Sequence, residues 1–292
     1  MSNTSERPQP NRHLRPTVQR PHWSYSQISQ FLRCPLQFYF ERVEKLPRTK
    51  LPSGMVLGSA IHAGLAEFHR HVKEGKSFSL EQLKSTFTEA MQCEEQTKID
   101  FKEGETKQTL LEQGVNLLET YFKEPPPENI VAVEEPLLVP LVTSRGEVLE
   151  KPLVAIIDLL TRTQDGLLID EFKTSGRKMS ESEVDSAMQA SCYVHAIREK
   201  YDEPATVRYT VLVKTKTPSI QRMKTERTPD DLTRIGDVVQ TMERAIENRI
   251  FYPVETPLNC SGCPYYRQCR EWQGCTVKPQ IVQPAWESAH VR

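Results

Sequence analysis

The sequence lacks long apolar runs, since no uninterrupted stretch approaches the ~18 residues that a membrane-spanning helix requires. It also lacks an excess of either charge, because 38 lysine and arginine residues stand against 39 aspartate and glutamate residues in a chain of 292. A nearly neutral chain has no global electrostatic field that attracts nucleic acid, so any basic binding surface must be local. These absences predict a globular protein without a membrane partner.

The sequence also lacks a secretory signal and an ATP-binding motif. The first residues lack the apolar stretch of a secretory signal, which predicts a cytoplasmic protein. No Gly-x-x-x-x-Gly-Lys-Ser/Thr motif occurs, so ATP hydrolysis, if it is needed, must come from a partner such as a helicase.

The composition divides the chain into three parts. Residues 1–22 combine arginines and prolines with a single acidic residue, Glu6, which predicts a disordered basic arm. Such an arm fits either a plain solvated tail or a segment that grips DNA. Residues 23–275 carry the pattern of one folded domain, and residues 276–292 are expected to form a loose C-terminal tail.

Apolar spacing and capping residues predict helices in the first half of the chain and strands after the prolines at 125–127. The expected order is helices, three antiparallel strands, a helix, a strand and a final helix, without internal repeats. The expected helices cover about residues 24–47, 55–72, 79–96, 105–123, 182–201 and 229–248, and the expected strands lie within 130–142, 147–163, 166–175 and 207–217.

Charged residues stand where two of these apolar strands end. Asp158 follows the apolar residues 155–157, and Glu171 and Lys173 follow the apolar residues 167–169. Charges in such surroundings are not the polar rim of a sheet. The sequence therefore marks this strand end as a candidate site.

A hairpin between the two strands would bring the three charges together. With residues 165–166 as a two-residue turn, Asp158 lies opposite Lys173, and Glu171 lies diagonally across on the same sheet face. Asp170 is a second carboxylate here, but only Glu171 shares a strand face with Lys173. An exposed cross-strand salt bridge would explain an isolated charge pair. Two carboxylates among apolar strands instead repel each other unless a cation joins them, and oxygen ligands favour Mg²⁺ or Mn²⁺.

The order of these residues resembles the PD-(D/E)xK nucleases. Asp158 followed by Glu171, Phe172 and Lys173 is similar to the signature of that superfamily. The stretch GSAIHAGL resembles the first motif of its RecB-like branch, and QASCY resembles that branch's closing Q-x-x-x-Y motif. The glycine that usually precedes the motif aspartate by three positions is replaced by Ala155, which is a small departure.

The resemblance implies a restriction-endonuclease-like α/β fold, with a mixed central sheet flanked by helices, an N-terminal helical part and a C-terminal cysteine cluster. It also implies a Mg²⁺- or Mn²⁺-dependent deoxyribonuclease that serves DNA repair, recombination or CRISPR adaptation. The site residues that it implies are the metal ligands His62, Asp158, Glu171 and the carbonyl of Phe172, the catalytic group Lys173 that positions or activates water, and the DNA-binding pair Gln189 and Tyr193.

Cysteine spacing points to a second metal site. The stretch CSGCPYYRQC places Cys260, Cys263 and Cys269 in a C-x2-C-x5-C array. Cys34 resembles the lone N-terminal cysteine with which iron–sulfur nucleases, such as the AddB subunit and the CRISPR-associated adaptation nuclease, close a 4Fe-4S cluster. Four thiolates suit Zn²⁺ as well as iron, so ligand type alone does not decide between them. The other cysteines are Cys275, a substitute fourth ligand, and Cys93 and Cys192, which are expected to be ordinary buried thiols.

Two other functions remain open at this point. One is a DNA-binding or scaffold protein that keeps the fold without cleaving, although the intact Glu171 and Lys173 argue against it. The other is a zinc-stapled interaction module with no nucleic-acid role, which elemental analysis for iron and zinc would test.

Overall fold

The computed structural model describes residues 20–48, 50–93 and 98–274, apart from the side chain of Cys93. The predicted basic arm as far as residue 19, Cys275 and the predicted tail at 276–292 lie outside this described part. As predicted, the fold is a mixed α/β domain with a central mixed sheet flanked by helices. No described helix has both the length and the apolar character needed to cross a membrane.

The first half of the described chain is mainly helical. Its elements are strand β1 (Trp23–Ser24), helices α1 (Tyr25–Arg33) and α2 (Pro35–Phe38), a π-helical segment (Tyr39–Val43), strand β2 (Leu51–Pro52), helices α3 (Ser53–Lys73) and α4 (Leu80–Cys93), strand β3 (Ile99–Asp100) and helix α5 (Lys107–Phe122).

The single helix predicted over 24–47 is broken in the structure. Ser24 caps α1 through a capping box with Gln27, and the helix ends where the N–H of Cys34 donates to the carbonyl of Gln30. Cys34 is extended, with φ −161° and ψ 101°, because the following Pro35 disfavours helical backbone at the residue before it. Pro35 then occupies the first turn of α2, where its missing N–H costs nothing.

The second half supplies most of the sheet and the helices that cover one of its faces. Its elements are strands β4 (Ile130–Val139), β5 (Leu153–Thr163) and β6 (Gly166–Ser175), helices α6 (Glu181–Asp185) and α7 (Met188–Tyr201), strands β7 (Ala205–Val213) and β8 (Ser219–Thr225), and helices α8 (Pro229–Glu247), α9 (Pro257–Cys260) and α10 (Tyr266–Glu271).

The sheet topology is mixed. Strands β4, β5 and β6 are antiparallel neighbours as predicted, β6 pairs with β7 in parallel, and β7 pairs with β8 in antiparallel fashion. Strand β1 lies parallel to the beginning of β5. Two predictions need correction here. The helix expected over 182–201 is divided into α6 and α7, and the strand expected over 207–217 ends at Val213 and is followed by β8, which was not predicted.

The hairpin between β5 and β6 has a different register from the predicted one. Thr163 pairs with Gly166, so residues 164–165 form the turn and Asp158 comes level with Glu171, not with Lys173. A two-residue turn at 165–166 would be of type I′ or II′, and both types need positive φ at residue 165. Only Gly166 has it, at 119°, and this glycine begins β6. Because the shift is two residues, the predicted sheet face is kept.

Two apolar layers hold the sheet. On one face, odd-numbered residues of β6 such as Leu167 and Ile169 pack with α1, α7 and α8. On the other face, Phe172 of β6 packs with α3, α4 and α5. The strand end that carries the charged residues thus lies between two cores, which explains why these charges are buried.

Candidate functional site

The site lies where β5 and β6 separate. Their backbone pairing ends at Leu159 and Asp170, one residue before Asp158 and Glu171 meet. Beyond this point a side chain replaces the backbone acceptor, because Oδ2 of Asp158 accepts a hydrogen bond from the backbone N–H of Phe172 at 3.0 Å. Asp158 and Glu171 are each only 3% exposed. A fork between strands therefore holds two carboxylates out of water.

Helix α3 brings His62 to this fork. The Nδ1 atom of His62 lies 3.2 Å from Oδ1 of Asp158. Gly58 of this helix faces β6, because a Cβ at this position would lie in van der Waals contact with the Thr174 hydroxyl at 3.4 Å. The predicted pairing of His62 with Asp158 in space is thus present in the structure.

Glu171 and Lys173 belong to one hydrogen-bonded network with α7. Lys173 Nζ donates to Glu171 Oε1 and to Gln189 Oε1, both at 2.7 Å. The Gln189 amide donates in turn to Glu171 Oε1 at 2.7 Å and to the Tyr193 hydroxyl at 2.9 Å. Gln189 and Tyr193 are themselves buried. The amide of Gln189 thus fixes both the carboxylate and the ammonium group.

Burial sets the electrostatics of this network. It raises the pKa of Glu171, the nearby Asp158 carboxylate raises it further, and Lys173 and His62 oppose the shift. Burial also acts against the Lys173 ammonium, but the carboxylates of Glu171 and Asp158 outweigh it, so the pKa of Lys173 is raised. Lys173 therefore carries its charge at neutral pH.

The residues at the fork suit a hard divalent cation. Among the described atoms, Glu171 Oε2 is buried and has no hydrogen-bond partner. A buried carboxylate oxygen without a donor is costly, and a cation would satisfy it. Within the described ranges, no three His, Cys, Asp or Glu side chains already stand in a metal-binding arrangement. His62, Asp158 and Glu171 would therefore have to shift when an ion binds.

Asp170, the alternative carboxylate, has a different environment. Its two oxygens accept hydrogen bonds from Arg208 at 2.6 Å each, and the Thr210 hydroxyl donates to it at 3.0 Å. This forked geometry is typical of a structural arginine–carboxylate pair. The sequence analysis did not single out Arg208, although a charged residue inside the otherwise uncharged strand β7 was a usable signal.

Glu134 is a second residue that the sequence did not reveal. The β4–β5 ladder is interrupted between Val133–Leu159 and Glu135–Ile157, so Glu134 stands where Asp158 would have its partner. Glu134 has a positive φ of 47°, which is uncommon for a residue with a side chain. Its carboxylate is bound by Arg70 of α3 at 3.0 Å. Arg70 thus ties the interrupted part of the β4–β5 ladder to α3.

The aromatic ring of Phe172 fixes the strand from the opposite face. It stacks on His69, with 5.3 Å between ring centroids and 18° between planes, and Tyr121 meets it edge-on. Burial, opposed only in part by Asp158, lowers the pKa of His69 to about 3. His69 therefore stays neutral and acts as an apolar support for the backbone that carries the Phe172 carbonyl.

The four predicted cluster cysteines come from both ends of the domain. Cys34 precedes α2, Cys260 ends α9 and Cys269 lies on α10. Burial raises the pKa of both Cys263 and Cys269, and the neighbouring Cys34 thiol adds to both shifts. The thiols are thus near neighbours in space. Cys192, by contrast, is buried on α7, where burial raises its pKa to about 12, as predicted for an ordinary buried thiol.

Hydrogen bonds to backbone carbonyls hold the two ends of the domain together beside these cysteines. The N–H of Leu36 donates to the Tyr252 carbonyl at 3.1 Å, and the Asn259 amide donates to the Arg33 carbonyl at 3.0 Å. The Tyr265 hydroxyl donates to the carbonyl of Leu46 at 2.9 Å.

A groove of about 940 Å³ lies between α1, the segment 48–55 and the segment 258–264. Tyr25 lines it and is close enough to Lys173 to influence that residue's charge. Its basic residues outnumber its two acidic ones and are Arg33, Arg42, Arg48 and Lys50. Because Arg48 is paired with Glu41 and Lys50 with Asp100, the groove carries only a small excess of positive charge.

Comparisons with known proteins agree with this architecture. A family model for the PD-(D/E)XK nuclease superfamily matches residues 22–270. A solved structure from Eubacterium rectale, which bears the name of a candidate exonuclease, is 14% identical with a TM-score of 0.54, covering 89% of this chain and 90% of that chain. At that identity the likeness concerns the fold alone. The structure of SSO0001 is 15% identical over 83% of this chain and 96% of that one, but its TM-score of 0.34 supports no argument. No curated protein matches the chain.

Proposed function

Because the chain belongs to the PD-(D/E)XK nuclease superfamily, we propose that the fork between β5 and β6 is the active site of a Mg²⁺- or Mn²⁺-dependent deoxyribonuclease. The observation that carries this proposal is the buried network of Glu171, Lys173 and Gln189 beside Asp158, in which Glu171 Oε2 has no partner among the described atoms. An oxygen-rich, water-poor site of this kind suits metal-assisted hydrolysis of a phosphodiester.

Each residue at the fork has a proposed role. Asp158, Glu171, His62 and the carbonyl of Phe172 would hold the ion, which when bound polarises a phosphoryl oxygen and lowers the pKa of a water molecule. Lys173 stays charged beside Glu171 and is placed to orient water and to offset negative charge that develops on the phosphate. Asp170 is left out, because Arg208 and Thr210 occupy its oxygens.

Gln189 and Tyr193 have a positioning role in this proposal. Their burial and the hydrogen bonds of Gln189 to Glu171 and Lys173 favour a function in orienting the catalytic groups. Contact of either side chain with DNA stays a prediction. The groove that Tyr25 lines supports DNA as substrate, because its basic residues outnumber its acidic ones and Tyr25 is close enough to Lys173 to influence that residue's charge.

The finer assignment is a RecB-like exonuclease acting on DNA that is single-stranded or has free ends. The name of the Eubacterium rectale relative agrees with exonuclease action. The proposed setting is the cytoplasm, in repair, recombination or CRISPR adaptation, with a helicase or another partner protein where unwinding is required.

The second proposed cofactor is a 4Fe-4S cluster on Cys34, Cys260, Cys263 and Cys269. What supports it is the approach of thiols from both ends of the domain, so that the pKa values of Cys263 and Cys269 respond to Cys34. The described thiols do not yet form a metal-binding arrangement, so the cluster would have to draw them together. Zn²⁺ is the alternative occupant.

The deciding experiment uses protein purified without oxygen and end-labelled single- and double-stranded DNA. Cleavage is expected with Mn²⁺ or Mg²⁺ and is expected to stop when the ion is chelated. DNA binding without cleavage under every metal condition would instead support the non-cleaving scaffold. Elemental analysis of the same preparation distinguishes iron from zinc. A colourless protein with one zinc per chain would contradict the iron–sulfur proposal and leave the nuclease proposal unaffected.

A further inference from the structure

Tyr209 lies next to Glu171 in the sheet but belongs to none of the motifs. It sits on β7 and pairs directly with Glu171 of the parallel strand β6. Paired residues on neighbouring strands project their side chains from the same sheet face. The Glu171 carboxylate contributes to the raised pKa of Tyr209, second only to burial. Tyr209 therefore forms part of the wall of the fork.

Two buried polar atoms on this wall have no hydrogen-bond partner among the described atoms. They are the Tyr209 hydroxyl and Glu171 Oε2. Tyr209 is 1% exposed and Glu171 is 3% exposed, so neither atom has ready access to bulk water. A tyrosine hydroxyl can donate one hydrogen bond, and a carboxylate oxygen can accept one. The two atoms thus offer one hydrogen-bond donor and one acceptor to a small polar ligand.

Other buried tyrosines of the described chain do not share this property. The hydroxyl of Tyr121 is bonded to His69 at 2.9 Å, that of Tyr193 accepts from Gln189 at 2.9 Å, and that of Tyr265 donates to the Leu46 carbonyl. A phenylalanine would fill the same apolar space at position 209 without leaving a polar atom unsatisfied. The hydroxyl is therefore of no evident use to folding alone.

We propose that Tyr209 is a positioning residue whose hydroxyl, together with Glu171 Oε2, holds a water molecule in the active site. This inference rests on the proposed nuclease function. The water occupies the side of Glu171 turned away from Lys173, whose ammonium is bonded to Oε1. Tyr209 then restricts the water's position, while Glu171 Oε2 accepts a hydrogen bond from the water through one lone pair and keeps the other for the ion.

The test is Tyr209→Phe, with Tyr265→Phe as the matched control, since both tyrosines are 1% exposed and only Tyr265 has a bonded hydroxyl. Thermal unfolding without metal is expected to show Tyr209→Phe at least as stable as wild type and Tyr265→Phe less stable. The Mn²⁺-induced rise in the unfolding midpoint is expected to be smaller in Tyr209→Phe. Cleavage by Tyr209→Phe is expected to show kcat reduced about tenfold with KM unchanged, because one hydrogen bond to the positioned water is lost.

The outcomes separate the explanations. Wild-type kcat and a wild-type response to Mn²⁺ in Tyr209→Phe would overturn the inference, as would a loss of stability as large as that of Tyr265→Phe. Weaker DNA binding in Ca²⁺ with unchanged kcat would overturn the water as occupant and assign a phosphate oxygen of the substrate instead. If the wild type itself does not cleave, the nuclease proposal fails, while the stability comparison still tests whether the hydroxyl lacks a structural partner.

Discussion

The fork between β5 and β6 and the cysteine region near α10 are both candidate metal sites, but they are held in different ways. At the fork, Glu171 and Asp158 are buried and side chains hold one another, with Gln189 bonded to both Glu171 and Lys173. In the cysteine region the four thiols are only half-buried, and the bonds between the two chain ends run through backbone and amide groups.

This difference indicates what each site needs. The fork has its own core on either side and is expected to keep its shape without a cofactor. The cysteine region joins the beginning of the domain to its end, and its thiols are only half-buried. Loss of a ligand at the fork should therefore impair chemistry, and loss of a ligand in the cysteine region should impair folding.

The largest expected effect is on cleavage in Glu171→Ala. Removing a proposed metal ligand should reduce the rate a hundredfold or more, about 3 kcal/mol in activation free energy. Folding should survive, because burial disfavours this carboxylate in the native state. Single-turnover cleavage and thermal unfolding measure the two effects. Glu181→Ala, which removes an exposed carboxylate on α6, is the control and should change neither.

Cys34→Ser should have the opposite signature. A cluster that joins Cys34 to the C-terminal cysteines closes a loop of more than two hundred residues, and cross-links of this kind stabilise by about 2 to 4 kcal/mol. We expect the variant to lose the brown colour and visible absorption, and to unfold at lower temperature. The molecules that remain folded should still cleave, because the cluster transfers no electrons in hydrolysis.

A Cys34→Ser protein that stays coloured and fully stable would contradict the assignment of Cys34 as a cluster ligand that stabilises the fold. Its fourth ligand would then come from elsewhere, with Cys275 as the nearest sequence candidate. Cys192→Ser is a suitable comparison, because that thiol is buried on α7 and away from the proposed cluster.

Gln189→Ala should have an intermediate effect. Loss of the amide frees Lys173 and Glu171 from a shared partner, so cleavage should fall about tenfold, while Mn²⁺ affinity should fall less than in Asp158→Ala. Calorimetric titration with Mn²⁺ measures the difference. If both variants lose Mn²⁺ binding equally, Gln189 is a structural part of the ion site and the positioning role is wrong.

The smallest expected effect concerns the hairpin that aligns the fork. Gly166→Ala places a side chain at φ 119° and brings its Cβ to 2.7 Å from the Pro204 carbonyl oxygen. Destabilisation on the order of 1 kcal/mol or more is expected from the strain. Denaturant unfolding measures it, and Gly104→Ala, which is strained but meets no atom within 4 Å, is the control. An unaffected Gly166→Ala protein would contradict the observed register.

Local signals were sufficient for most of the fold and failed where long-range contacts decide. The apolar runs of β4, β5 and β6 and the helical period of α3 and α8 are visible in the sequence. The strand β8 is a polar, half-exposed edge strand, so SIQRMKT carries no apolar alternation to detect. The hairpin register depends on which residue occupies the position with positive φ. Gly166 occupies it, close to the carbonyl of Pro204, and that contact with a distant segment is not visible in the sequence.

The candidate site divides in the same way. Asp158, Glu171, Lys173 and Gln189 were identified because their order along the chain resembles a known motif set. Arg208, Glu134 and Tyr209 carry no motif, and their relation to the site follows from strand neighbours that are paired only after folding. Sequence alone could name the candidate site residues that belong to motifs, and it could not name the neighbours that carry no motif.

The most direct test of the central claim is single-turnover cleavage of end-labelled DNA with Mn²⁺ by Lys173→Ala and Lys178→Ala, purified without oxygen. Lys173 is bonded to Glu171 and Gln189 at the fork, whereas the Lys178 side chain is exposed a short distance along the chain. We predict a loss of a hundredfold or more in Lys173→Ala, with colour and unfolding temperature retained, and wild-type cleavage in Lys178→Ala. Wild-type cleavage by Lys173→Ala would contradict the claim that this fork is the hydrolytic site.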